Sequence, residues 1–432
     1  MAGCADARSG PAQPLSRDFQ TFWFGQTISL IGSQITTFAL PLTAILVLGA
    51  SAREMGLLQA ARTLPFLLVT LPAGLIVDRF RRRPLLIGAD LGRAGLLVLV
   101  PLAALQGLLK IEFLYAIAFA AGVLTVLFEV AYITVAPWLV SSPQLVRANS
   151  RLMASQSFGE VVGPALGGQL VQLLTAPIAI LVDGVSFLIG ALALLMLRTP
   201  EPNPAPRSSA PLLAQLRDGF RIVAREPHVR AIGLMAASYN MIETAVITLL
   251  LLFALAIGFS PALLGLVLGA GALGAFSGAF VAEPLGRRFG IGPTTIIAML
   301  IETGVFIPVA LLRDASVASA GIFALALFAN GWGTCVSTVQ SMSVRQHVTP
   351  PHLLGRMNAT YRLLVTGTVP IGALLASWLG ETLGISNALL LFAIALPASL
   401  LPVLFSPLRT LRALSETRTR TASRGRDPRI PP

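Results

Sequence analysis

Twelve apolar stretches run through this chain, centred near residues 35, 66, 95, 125, 161, 187, 241, 270, 302, 328, 368 and 395. Each is about 20 residues long or somewhat more, enough to cross a bilayer as a helix. Hydrocarbon supplies no hydrogen-bond partner, so a crossing segment of this kind must satisfy its own backbone groups, which a helix does. The sequence therefore predicts an all-α integral membrane protein with twelve transmembrane helices. Its charge content agrees: 12% of residues are charged, about half the share found in a soluble domain. Residues 1–16 are small, polar and proline-containing, without the apolar core of a cleavable signal, and are expected to form a disordered cytoplasmic tail.

The net charge of +12 raises the question of nucleic acid, and the placement of the charge answers it. Of the 31 basic residues, Arg53, Lys110 and Arg313 fall in odd-numbered loops, and Arg62 and Arg93 lie within spans. All the others sit in the termini and the even-numbered loops. That alternation places both termini in the cytoplasm and makes the partner a lipid bilayer, not a nucleic acid. The basic tail, 409–432, suits anionic lipid. Cys4 in the tail and Cys335 in helix 10 are not expected to form a disulfide. His228, His347 and His352 lack a neighbouring cysteine or carboxylate cluster, so no metal site is expected.

A proline-rich, charged stretch divides the chain into a bundle over 17–197, a cytoplasmic linker over 198–228 and a second bundle over 229–408. The halves repeat. Pro143, Arg147, Asn149 and Gly163 correspond to Pro351, Arg356, Asn358 and Gly372. In the same way Asp78, Arg82 and Arg83 correspond to Glu283, Arg287 and Arg288. Parallel repeats of six helices place a substrate site at the repeat interface near the midplane, with alternating access by rocking of the halves.

Gly159, Gly163, Pro164, Gly167 and Gly168 form a G-x-x-x-G-P-x-x-G-G constellation inside an apolar segment. Glycines let two membrane helices approach closely, and the pattern resembles the fifth-helix signature of major facilitator drug:proton antiporters. Gly74, Asp78, Arg82 and Arg83 resemble the most widespread motif of that superfamily, with Arg81 in place of the usual glycine. The run from Asp183 to Phe187 resembles a sixth-helix segment of the macrolide-efflux-like branch. The resemblance covers about Arg17 to Arg412. It implies the major facilitator fold, two pseudo-symmetric six-helix bundles whose helices 1, 4, 7 and 10 line a cavity. It also implies a monomeric, multi-pass exporter of the bacterial plasma (inner) membrane that takes a small-molecule substrate and is driven by proton entry. In such a protein Asp78 faces the start of helix 11, near Arg356–Leu363, as a cytoplasmic latch with Arg82.

An ionisable group in mid-membrane costs about 2.5–3.5 kcal/mol on insertion scales and is a functional candidate by default. Arg62, Asp90, Arg93, Glu129, Glu160, Asp183, Glu243 and Glu302 are such groups. Asp90, Arg93 and Glu129 join Asp78 and Arg82 in one expected charged network, as a gate or as a static cluster. Glu129 and Glu243 are candidate proton carriers; Asp183 and Glu302 are expected to make structural hydrogen bonds. Polar residues at helical spacing mark the expected cavity faces: Gln26, Ser33 and Thr37 on helix 1, Glu129 and Tyr132 on helix 4, Tyr239, Asn240 and Glu243 on helix 7, Asn330 and Thr334 on helix 10.

Gly269, Gly271 and Gly274 spell the dinucleotide fingerprint but lie within a span with no strand before them, so the context fails. They read as helix packing. The single lysine, Lys110, lacks the glycines of a phosphate loop, so transport is expected not to use ATP bound by this chain, and no cofactor or catalytic residue is expected. The sequence points to export of a bulky amphipathic drug-like compound, macrolide-type or another antibiotic, by proton antiport. Export of a siderophore or other endogenous metabolite fits the same residues. A non-transporting membrane sensor or assembly partner is the remaining alternative.

Overall fold

The structure, a computed structural model, describes residues 15–141, 144–201, 220–221, 223–350 and 353–413. The expectations for the first tail, most of the linker and most of the basic tail lie outside the described residues, as do Cys4, Pro143, Pro351 and His352. The side chain of Asp78 also lies outside the description.

Twelve rods follow one another: α1 (Arg17–Leu48), α2 (Ala52–Arg79), α3 (Arg82–Leu105), α4 (Ile111–Tyr132), α5 (Leu145–Leu173) and α6 (Ala176–Leu195). After the linker come α7 (Pro227–Ala256), α8 (Pro261–Phe289), α9 (Ile291–Gly304, continued by Phe306–Ala310) and α10 (Val317–Val348). Then α11 (Leu354–Gly367, continued by Val369–Leu383) and α12 (Ile385–Ala395, continued to Leu404) complete the set. Among the described residues ten rods are long and apolar enough to cross a membrane. The other two, α2 and α5, have spanning lengths of 28 and 29 residues.

Local chemistry sets the ends. Ser51 accepts from Glu54 N while the Glu54 carboxylate accepts from Ser51 N at 2.8 Å, a closed capping box at the start of α2. Ser16, Ser260 and Ser316 cap α1, α8 and α10 in the simpler way. Gly49 stops α1 in the left-handed region, φ 66°. Three of the continuous spans read from the sequence are interrupted. In α11 the break falls at Thr368, just before Pro370, where the missing N–H cannot close the ladder. The Thr368 hydroxyl donates to Val365 O at 2.8 Å and also lies 2.9 Å from Ala237 O on α7, so the broken turn is held by a neighbour.

The first and last described residues and the loops after α4, α6 and α8 gather at one end of the bundle. Ser16 Oγ donates to Leu139 O after α4, the Asp18 carboxylate accepts from Arg198 N and Thr199 N after α6, and Gly292 N at the start of α9 donates to Leu411 O. This is the terminus end, and its opposite the far end. The first six rods meet the last six through two seams, α2 on α11 and α5 on α8. The sequence repeat pairs α2 with α8 and α5 with α11, so a two-fold exchanging the halves turns one seam into the other. That is the contact pattern of a self-complementary interface.

Candidate functional site

Two residues four apart on a helix share a face, and α7 places Tyr239 and Glu243 in this relation. On α10 Asn330 and Thr334 do the same. The four meet. Tyr239 donates from its hydroxyl to Glu243 Oε1 at 3.1 Å, accepts from Asn330 Nδ2 at 3.1 Å and lies 3.3 Å from Thr334 Oγ1. Glu302 of α9 joins from the other side: Ser337 donates to its carboxylate at 3.1 Å, and Asn330 Nδ2 donates to its carbonyl at 3.1 Å. Gly333 makes this approach possible, since a Cβ there would stand 2.7 Å from Glu302 Cβ. Glu302 is 2% exposed. The sequence expectation of a structural hydrogen bond for Glu302 describes one of its contacts. It omits that α9 brings a second carboxylate into the network around Tyr239. Among the described residues neither carboxylate has a cationic partner.

A cavity of about 300 Å³ lies between the halves toward the far end. Gln34, Thr37 and Pro41 of α1, Gln59 and Arg62 of α2 and Pro164 of α5 form one side; Thr248 and Leu251 of α7, Leu264 of α8 and Phe323 of α10 form the other. Of the polar residues expected on the cavity, Thr37 reaches it. Gln34 and Gln59 were not singled out in the sequence, although each stands three residues from another polar wall residue, Thr37 and Arg62.

The remaining expected residues are dispersed. Gln26 is 2% exposed and packs near Gly190 within the first six rods, not on the cavity wall. Ser33 is half-buried, and its carbonyl accepts from Thr37. Asn240 turns its amide back to Ala236 O at 2.8 Å on its own helix. Tyr132 stacks on Phe128, with ring centroids 5.8 Å apart.

The expected charged network is divided. Arg93 pairs with Asp90, one turn away, and its guanidinium lies 4.4 and 4.0 Å from the ring centroids of Phe128 and Phe187. Glu129 instead meets Arg362 of α11 at 3.0 Å, across the two halves, with both side chains about half exposed. Arg83 donates to Leu194 O and Leu195 O, where a cation complements the C-terminal end of α6. The N–H groups of Arg82 and Arg83 point to the Glu201 carboxylate, which caps α3. Glu201 and Arg362 are the charges that the motif did not indicate. Gly74 stands in open space.

The glycine constellation has two faces. Gly159, Gly163 and Gly167, four apart, lie against Leu30, Gln34 and Phe38 of α1; Gly168 and Pro164 lie against Pro261 and Gly265 of α8. At Gly163 an added Cβ would collide with the Gln34 side chain. The reading of Gly269 as a packing position matches this seam, where it approaches Val161 O. Glu160, between these faces, accepts from Gln156 on the exposed side at 3.1 Å.

A family model described as transmembrane secretion effector matches residues 9–424. The chain belongs to this family of major facilitators. It is 29% identical over 371 residues to the enterobactin exporter EntS of Salmonella choleraesuis (strain SC-B67), an alignment that takes in 84% of this chain and 85% of that one. Among solved structures, a mutant of the nucleoside transporter NupG superposes with a TM-score of 0.76 at 11% identity, covering 90% of this chain and 100% of the other. A bacterial homologue of the iron transporter ferroportin in an inward-facing state gives 0.68 at 17% identity, over 90% and 99%. These relatives and neighbours are transporters, not enzymes, and the fold is that of a multi-pass major facilitator transporter of a small molecule.

Proposed function

We propose that this chain exports a bulky amphipathic metabolite of the siderophore class across the bacterial inner membrane, exchanging it for protons by alternating access. The observation that supports the substrate class is the similarity to the enterobactin exporter, which extends over 84% of the chain. The terminus end faces the cytoplasm in this reading, because the basic residues crowd there. The halves meet through α2–α11 and α5–α8, and the cavity between them is the transport path.

Glu243 and Glu302 are the proton seats. Among the described residues they lack a cationic partner; Glu243 accepts from Tyr239, the Glu302 carboxylate accepts from Ser337, and Asn330 links the two by donating to the Tyr239 hydroxyl and to Glu302 O. One proton entering down a 100 mV potential yields about 2.3 kcal/mol, enough for roughly a fifty-fold gradient at about 1.4 kcal/mol per decade. Export of a macrolide-type drug is the second reading, favoured by the constellation from Gly159 to Gly168.

Everted vesicles carrying the full chain test both. Saturable uptake of enterobactin that disappears when the proton gradient is collapsed supports the proposal. Uptake that persists unchanged after collapse removes the antiport claim. Uptake of macrolides with none of enterobactin places the drug reading first.

A further inference from the structure

Arg62 is ten residues beyond the start of α2. At about 1.5 Å per residue this is about 15 Å along the helix, the middle of a hydrocarbon layer about 30 Å thick. A cation at that depth is normally paired within the protein. Here none of the described residues pairs with it: its guanidinium takes part in no ion pair, hydrogen bond or ring contact among them. It is half-buried and forms part of the wall of the inter-half cavity.

The rest of that wall is mostly apolar, relieved by the amides of Gln34 and Gln59 and the hydroxyls of Thr37 and Thr248, and it includes no aspartate or glutamate. A largely apolar cavity of about 300 Å³ with a few convergent polar groups is the form of a small-molecule site. Backbone packing fixes the helix at Arg62, because Gly122 lets α4 close on α2 at this level; a Cβ there would stand 2.9 Å from Arg62 O. Gly163 leaves room for the stem of Gln34, so the glycine constellation also shapes the wall.

We infer that the cavity is a binding site for an organic anion with an apolar body, and that Arg62 is its counter-charge. The inference deepens the export reading and rests on it for the claim that the bound compound is cargo. A planar guanidinium fits a carboxylate or sulfonate through paired donors. The apolar wall accepts the body, and the amides of Gln34 and Gln59 complete the polar shell. The anion supplies the negative charge that none of the described residues places beside Arg62.

The test uses the full chain in phosphatidylcholine nanodiscs and a matched fluorescent pair, 1-anilinonaphthalene-8-sulfonate and N-phenyl-1-naphthylamine, with empty discs subtracted. The wild type is expected to hold the sulfonate about tenfold more tightly than the uncharged amine, about 1.4 kcal/mol. Arg62→Gln is expected to bring the two affinities together while the amine still binds, and Arg62→Lys to restore part of the preference. Equal binding by the wild type, or a preference that survives Arg62→Gln, overturns the site.

A measurement on the wild type alone guards against a misfolded variant. Benzenesulfonate is expected to displace the bound sulfonate probe at concentrations where isosteric benzenesulfonamide does not. Equal displacement overturns the proposal. Anion preference in a chain that moves no compound in vesicles refutes export and leaves the site standing. Export of an uncharged substrate by a chain without anion preference does the reverse.

Discussion

Tyr239 carries more of the buried network than either carboxylate, because its hydroxyl contacts Glu243, Asn330 and Thr334 at once. Tyr239→Phe keeps the ring and removes the node. A hydrogen bond to a charged group contributes about 1.5–3 kcal/mol, so gradient-driven uptake in proteoliposomes is expected to fall about tenfold or more, while downhill flux of the same substrate stays within about twofold. Glu302→Gln is expected to lower gradient-driven uptake as Glu243→Gln does. An uptake unaltered by Glu302→Gln confines proton coupling to α7. Tyr239, Glu243, Asn330 and Thr334 were legible in the sequence because spacing of four on an apolar helix marks a polar face. Glu302 was visible as a charge, but its partnership was not. Nothing in local spacing says that Gly333 lets α9 press against α10, which is a fact of tertiary packing.

At the scale of the element, α5 is wedged between α1 and α8 by residues without side chains. Gly163→Leu forces a branched chain onto Gln34 and is expected to destabilise the protein by about 1–3 kcal/mol, as overpacking does. A lower midpoint of thermal unfolding in detergent checks this, and an unchanged midpoint shows that α1 yields freely. Gly74→Ala, by contrast, meets open space and is expected to leave the midpoint where it was. The glycine pattern therefore foretold the close packing of α5, while its partners came only from the fold. The motif around Asp78 was legible as a cluster of charge at a helix end. Its geometry was less so, since Arg83 of the motif complements the end of α6, while Glu201, in a loop that carries no motif, caps α3.

For the whole molecule, hydropathy and the alternation of basic loops prescribe twelve rods with both ends of the chain on one side. A phosphatase fused after residue 413 is expected to stay inactive and a fluorescent protein at the same place to be bright. The opposite pair of results reverses the orientation. The repeat prescribes the paired seams, α2 with α11 and α5 with α8, because a two-fold leaves no other assignment once one seam exists. A cavity at the repeat interface was expected from the sequence, but its wall was only partly legible, since it draws on α2, α5 and α8 beside α1, α7 and α10 and takes nothing from α4.

The two ends of the seam differ in kind. Toward the far end it is made of glycines against backbone, with Ser377 Oγ donating to Arg53 O at 2.9 Å. Toward the terminus end Glu129 and Arg362 bridge the halves as an ion pair open to water. Such a pair contributes about 0–1 kcal/mol and is screened by salt, whereas close-packed backbone contacts are not. Ionic strength thus becomes a control on conformation. Raising it loosens the terminus side and leaves the far side closed, so spin labels placed across α4 and α11 are expected to separate in high salt, and Glu129→Gln to remove that response.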